Sequence, residues 1–424
     1  MNSTAAKAAI AEAIDQNWDA ELRFLQELIR QPSVRGATNE AQDLIGEQLR
    51  AMGMSVEEVY IDETRLSTLP GYSPVDWPYA GLKNLVGRLR ARDSGGKSLI
   101  LNGHIDVVSP EPVDSWQCDP WGGEIVNSRL LGRGAADMKS GVAAMIYSLV
   151  ALQHSGIPLR GDVLVQSVID EECSGNGTLA CLAKGLIADA AVIPEPFGGA
   201  IVSASPGVLW CRIRVRGFGA HASVAGDAVN AAEKAFVVIA ALRQLEAEWN
   251  RPERRHPAFQ DVEHPLNFNI GTFHAGDWPS TVPELCTLEV RLSCFPGEDL
   301  AIVQRLVSDR LQAAAAADSW LSKNPPEVRF IGFRAEGAIY DTGGELGTIL
   351  AANHAHVTGG PPAVRPTTGT IDNRFFQLYY GIPTICYGPQ GGQLHAPNEW
   401  VDLESIRTCT KVLAGVLVDW CGIA

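Results

Sequence analysis

The stretch GDVLVQSVIDEECSGNG, residues 161–177, sets an apolar run directly against an acidic triplet. Val163, Leu164, Val165 and Val168 lie in a segment short and β-branched enough to read as a buried strand over 161–169. Asp170, Glu171 and Glu172 follow at once. A run of like charges is ordinarily a solvated loop. At the carboxyl end of a buried strand in an open α/β sheet, the same triplet stands where such sheets bind ligands. A cation there would relieve the repulsion.

Working outward, helix-like and strand-like segments alternate. Ile10, Ile14, Trp18, Leu22, Leu25 and Ile29 recur at helical spacing and predict an amphipathic helix ended near Pro32. A second helix is expected at 38–52, strands at 84–89 and 98–103, a helix at 139–154 and a strand at 188–194. This order implies an α/β fold with a mixed, mostly parallel sheet flanked by helices. Near residue 206 the style changes. VLWCRIRVRG, LNFNIGTFHAG, ELCTLEVRLSCF and EVRFIGFR are strand-like, and two long amphipathic helices are interleaved to give a βαββαβ order. That is the ferredoxin-like pattern. A discontinuous domain, 1–207 and 336–424, is therefore expected to carry an inserted α+β domain at 208–335.

A chain of 424 residues with 46% hydrophobic content has ample core for two domains. Its net charge of −15 argues against nucleic acid or an anionic membrane as partner, since both reward basic patches. Nine scattered cysteines without a CxxC spacing suit reduced thiols. The N-terminal stretch lacks a basic segment followed by an apolar one, and no apolar run reaches the length of a membrane span. A cytoplasmic protein is the expectation.

The strand ends give a consistent set of polar residues. SLILNG runs into His104 and Asp106, GDVLVQSVI into the triplet, and ADAAVIP into Glu195. Asp137 lies in the Gly-rich turn GRGAADMKSG before a helix, and His395 in GGQLHAPNEW. Each has an ordinary reading: a structural histidine, a helix cap, a solvated turn residue. Together they would bring carboxylates into mutual repulsion unless a cation were shared. Two His with Asp and Glu suit zinc. His104, Asp137, Glu172, Glu195 and His395 are one ligand too many for a tetrahedral ion. If Asp137 bridges, each of two ions receives three ligands and keeps an open position. Glu171 is then spare, and alternation in extended backbone turns it away from Glu172, as a general base requires. Asp106 is placed to bond the His104 imidazole from behind.

GHIDVV, GRGAADMKSG, DEECSG, PEP and HAPNE, in this order, resemble the dinuclear zinc family of acetylornithine deacetylase, succinyl-diaminopimelate desuccinylase, aminoacylase and carboxypeptidase G. The resemblance spans nearly the whole chain. It implies two Zn2+ per chain, with Co2+ or Mn2+ as alternatives, and a homodimer formed through the insertion. One ion would take His104, Asp137 and Glu195, and the other His395, Asp137 and Glu172. Glu171 would be the base, and the Asp137–Met138 peptide would be cis. His221 in RGFGAHAS would reach the partner's active site to hold a developing oxyanion. Arg291 in LEVRL and Arg374 in GTIDNRFF would clamp a substrate carboxylate, although Arg291 reads equally well as an ordinary strand residue.

Two departures stand out. AGDWPSTVP puts Ser280 where the family's substrate-binding asparagine is expected. The Pro-rich segment 66–83 reads either as a specificity lid or as a surface excursion. The resemblance implies an amide hydrolase acting on an N-acyl or N-formyl small molecule, expected to bear a carboxylate. A carboxypeptidase or dipeptidase is the alternative within the class, and a non-catalytic binding protein on the same scaffold the alternative outside it. GxSxG and HExxH are both missing from the sequence, which disfavours a serine nucleophile and a single-zinc protease.

Overall fold

The strand Val163–Val168 is buried along its whole length and sits inside a six-stranded sheet. A computed structural model describes residues 3–93 and 95–424. In space the sheet runs Ser55–Tyr60, Lys83–Leu89, Val163–Val168, Leu99–His104, Ala191–Ile193, Thr384–Cys386. The first two pairings are antiparallel and the other three parallel. Parallel pairing matters for function because it aligns carboxyl ends: His104 pairs with Val168, and Leu101 with Val192.

Helices flank this sheet. The helix Ser140–His154 is buried from Ser140 to Leu152 and lies against the helices Ser3–Ile29 and Leu403–Cys421. Residues Ala135–His154 have the length and mean hydropathy of a membrane span, 1.3, yet 94% of that window is covered by protein. Its apolar surface is spent on the core. On the N-terminal helix, Ile10, Ile14, Leu25 and Ile29 of the expected stripe are buried, Trp18 and Leu22 are half-buried, and Phe24 and Leu28 join the core instead.

The inserted segment forms a four-stranded antiparallel sheet ordered Asn269–Ala275, Leu285–Cys294, Gly207–Arg216, Glu327–Ala335. Two helices, Ala231–Trp249 and Leu300–Ala316, pack with it. Burial alternates along Gly207–Arg216, the signature of a sheet covered on one face. Leu209, Ile213, Val238, Leu242, Val290, Val307 and Leu311 belong to an apolar core distinct from that of the large sheet. These separate cores support the division we propose at 207/208 and 335/336.

The segment 66–83 is largely at the surface but is tied down at two points. Ser73 and Tyr79 within it are buried against the acidic turn.

Candidate metal centre

Every expected ligand stands at the carboxyl edge of the large sheet or in a turn facing it. His104 is the last residue of its strand, Glu195 lies two residues beyond its strand, and Glu172 lies four beyond its own, in the turn that follows Asp170. Asp137 follows Gly134, whose φ of 79° turns the chain, and precedes the helix that starts at Ser140. The Asp137–Met138 peptide is cis. His395 has a φ of 61° in the turn that links Gly391–Gly392 to Trp400–Asp402.

The donor atoms converge. His104 Nε2 lies 3.1 Å from Asp137 Oδ1 and 3.6 Å from Glu195 Oε1. His395 Nε2 lies 3.0 Å from Glu172 Oε2 and 3.7 Å from Asp137 Oδ2. The two oxygens of Asp137 thus face different imidazoles, the disposition a bridging carboxylate needs. One donor atom each from His104, Asp137 and Glu172 falls within a common 4.8 Å. Donors held tetrahedrally at about 2.1 Å from one ion stand ~3.4 Å apart, which is the spacing seen between these pairs.

Protonation points the same way. His104 Nδ1 lies 2.9 Å from the carbonyl of Asp106 and must donate its proton there. In neutral imidazole Nε2 is then a bare lone pair aimed at two carboxylates. Such a contact is repulsive unless a proton or a metal ion intervenes. Burial disfavours the charged ring of His104, yet the bond to Asp137 and the charge of Glu195 hold it well above its ordinary range. The charge of Glu172 pushes His395 up to about 11. Burial raises Asp137, but bonds from both imidazoles override it and keep this carboxyl far below its usual range. Burial, then the charge of Asp137, pushes Glu195 well up. The donor set is therefore short of positive charge and fits divalent ions.

Glu171 differs from its neighbours. It is buried, and its Oε1 has no hydrogen-bond partner among the described residues. Burial, followed by the charge of Asp372, raises its carboxyl well above the ordinary range. A buried acceptor left free beside a cation site is available to take a proton.

Asp106 departs from expectation. Its backbone carbonyl, not its carboxylate, bonds the imidazole; the carboxylate oxygen stands 3.8 Å away. The carboxylate instead accepts the amides of Glu171 at 3.3 Å and Glu172 at 3.1 Å. One residue therefore sets the tautomer of one ligand and fixes the backbone of the acidic turn. Burial raises its carboxyl to about 7.

Arg374 is enclosed by the large domain. Its side chain is fully buried, donating to Ser174 O at 2.9 Å and to Ile371 O and Asp372, with the guanidinium stacked over Phe375. Those bonds are internal and brace the turn after the acidic triplet, while its Nε has no partner among the described residues. Arg291 is no ordinary exposed residue either. It donates to Ser293 Oγ at 2.8 Å and, across to the large domain, to Thr368 O at 3.3 Å. Among the described residues no carboxylate pairs with it. Burial disfavours its charge, so a substrate carboxylate would be a natural counter-ion.

His221 and Ser280 stand together on the inserted domain, where Ala222 N–H donates to Ser280 O at 2.9 Å. Both are exposed. The His221 ring bonds Ser223 at 2.8 Å and no member of the ligand cluster. Within one chain, then, these two are not brought to the site.

Glu399 is a residue that motif reading passed over. Its carboxylate takes the Arg133 guanidinium at 2.6 Å and the amides of Gly134, Ala136 and Asp137 at 3.1, 2.9 and 3.0 Å. It pins the loop that presents Asp137. The signal was its place in HAPNE, four residues after a ligand.

Residues 100–419 match the pattern of Peptidase family M20/M25/M40. The chain is 30% identical over 375 residues to the N-formyl-4-amino-5-aminomethyl-2-methylpyrimidine deformylase of Bacillus subtilis, covering 83% of this chain and 86% of that protein. It is 27% identical over 413 residues to the succinyl-diaminopimelate desuccinylase of Rhodopseudomonas palustris, covering 93% and 97%. In fold it is similar to the di-peptidase Dug1p of Saccharomyces cerevisiae, with a TM-score of 0.80, 18% identity and 99% of each chain covered.

Proposed function

We propose, for a chain that belongs to Peptidase family M20/M25/M40, metal-dependent hydrolysis of a small N-acyl amide, with formyl as the leading acyl group. The free buried oxygen of Glu171 beside converging His and carboxylate donors is the observation that carries this reading.

His104, Asp137 and Glu195 would hold one ion and His395, Asp137 and Glu172 a second. Zinc, cobalt and manganese all suit such N/O donors. Ions at such a centre polarise a carbonyl oxygen and acidify water. Glu171 Oε1, the buried oxygen left without a hydrogen-bond partner among the described residues, takes a proton from the attacking water. As the C–N bond breaks, Glu171 delivers the proton to the amide nitrogen. A carboxylic acid and an amine result, and the base is regenerated. Asp106 keeps the Glu171 backbone in place throughout. Arg291, lacking a carboxylate partner, favours a substrate that carries one.

The reading is tested on protein stripped by a chelator and reloaded with zinc, cobalt or manganese. N-formyl, N-acetyl and N-succinyl amines and amino acids are assayed beside dipeptides. Release of an acyl group that disappears on chelation is expected. Cleavage of dipeptides alone would move the assignment to a peptidase, and tight metal binding without any turnover would leave a binding protein.

A homodimer completes this proposal. Phe236 on the helix Ala231–Trp249 and Phe273 on the edge strand Asn269–Ala275 are exposed and stacked, with centroids 6.2 Å apart. An edge strand with aromatic surface beside it invites pairing with a second copy. Such pairing would let His221 serve the opposite site, where it would steady the oxyanion. Two inactive variants, Glu171→Gln and His221→Ala, should then restore activity when their subunits are exchanged, since one site in each mixed dimer is intact. No recovery despite demonstrated exchange would exclude service in trans.

A further inference from the structure

The segment from Ser73 to Tyr79 joins the acidic turn to the inserted sheet through buried polar groups. Ser73 N–H donates to Asn176 Oδ1 at 3.1 Å, and Ser73 Oγ donates to Ser174 O at 3.0 Å. The same hydroxyl accepts Arg334 N–H at 3.0 Å, and Pro74 O accepts Gly332 N–H at 2.7 Å. Those two amides are free because Glu327–Ala335 is the edge strand of the inserted sheet, and residues two apart direct their N–H groups to the same, unpartnered side. The pairing of this strand with Gly207–Arg216 also slips between Leu209 and Cys211, near Gly332 with its φ of 82°, and the segment covers the open edge there. Further along, Asp76 accepts Arg212 at 2.5 Å, from the next inserted strand.

The far end reaches the catalytic turn. Tyr79 Oη donates to the Asp170 carboxylate at 2.5 Å and accepts Asn176 Nδ2 at 3.1 Å. Asp170 has a φ of 66°, and its carbonyl takes the amides of Ser174 and Gly175 at 2.9 and 2.8 Å. Glu171 is the next residue. Ser73, Tyr79, Asp170, Ser174 and Asn176 are all buried. Moving the inserted sheet against the large one must either leave these groups unsatisfied or carry the acidic turn along.

We propose that residues 73–79 are a strap that ties the orientation of the inserted sheet to the aim of Glu171, with Ser73 and Tyr79 as positioning residues. Setting the insertion against the large domain and placing the base are then one event. The catalytic consequence rests on the hydrolase reading above; the mechanical one does not.

The test uses Tyr79→Phe and Ser73→Ala in the full chain, with amide hydrogen exchange on metal-free protein and kinetics on metal-loaded protein. Tyr79 bonds nothing in the inserted sheet among the described residues. Its loss should nonetheless speed exchange at Gly332 and Arg334 as well as at Ser174 and Gly175, by about tenfold, the scale one buried hydrogen bond supports. In the kinetic arm kcat should fall about tenfold with KM unchanged, as expected when a base is misaimed but substrate binding is kept. Tyr79→Phe, which keeps the ring, guards against gross misfolding. Faster exchange confined to residues 170–176 would overturn the strap. So would an unchanged kcat in both variants where the wild type is active. Absence of amide hydrolysis by the wild type would sink the hydrolase reading alone, since the exchange arm still decides the coupling.

Discussion

Glu171→Gln is expected to lower turnover by at least ~10²–10⁴-fold, the range attributed to a positioned general base. Glutamine keeps the shape and loses the ability to accept and return a proton. The change disturbs little else, because Glu171 Oε1 has no hydrogen-bond partner to lose and its backbone is held separately by Asp106. Bound metal should be retained, since the ligand role falls on Glu172, whose oxygens face His395. KM should move little. Glu172→Gln is the contrast and should lose metal and activity together. Metal analysis beside kcat separates the two variants. Near-normal turnover in Glu171→Gln at full metal content would remove Glu171 from the chemistry.

The second large effect is expected at a residue that touches no substrate. Glu399→Ala removes a carboxylate on which Arg133 and three backbone amides converge. Arg133 and Glu399 are each about 1% exposed. Removing one partner of a buried ion pair costs roughly 3–5 kcal/mol, because the remaining charge is stranded. Burial raises the Glu399 carboxyl, while the amide of Asp137 and the Arg133 guanidinium favour its charged form. The loop it pins presents Asp137, so metal affinity should also fall about 10–100-fold, as when a support behind a ligand is lost. Denaturant unfolding and a metal titration measure the two losses. Unchanged stability and unchanged metal affinity would show that the loop holds itself.

The convergence of the candidate ligands was legible because an open α/β sheet aligns the carboxyl ends of its parallel strands. Reading strand ends therefore collects His104, the acidic triplet and Glu195 although they are far apart in the chain. The inserted domain was legible from the order of its apolar periods, which alone distinguishes βαββαβ from the alternation around it. Extended backbone would set Glu171 apart from Glu172 by alternation, whereas the chain turns at Asp170, with a φ of 66°, and both residues lie in the turn that follows, so the separation is the work of the turn and not of strand alternation.

The supporting residues were not legible in that way. Asp106 carries both a carbonyl and a carboxylate, and only the folded turn shows which one meets His104. Arg374 has the chemistry of a carboxylate clamp, yet packing closes it over Phe375 and engages its two Nη atoms with Ser174, Ile371 and Asp372, leaving only Nε without a partner among the described residues. The strap depends on an open sheet edge that offers two amides more than 250 positions away from Ser73.

The sequence by itself determined which groups can bind metal or move a proton, since that follows from side-chain type and the period of the backbone. Tertiary structure alone decided which of those groups remain free. Burial and long-range hydrogen bonds consume donors and acceptors, and what they leave unpaired, as at Glu171 Oε1, is available for chemistry.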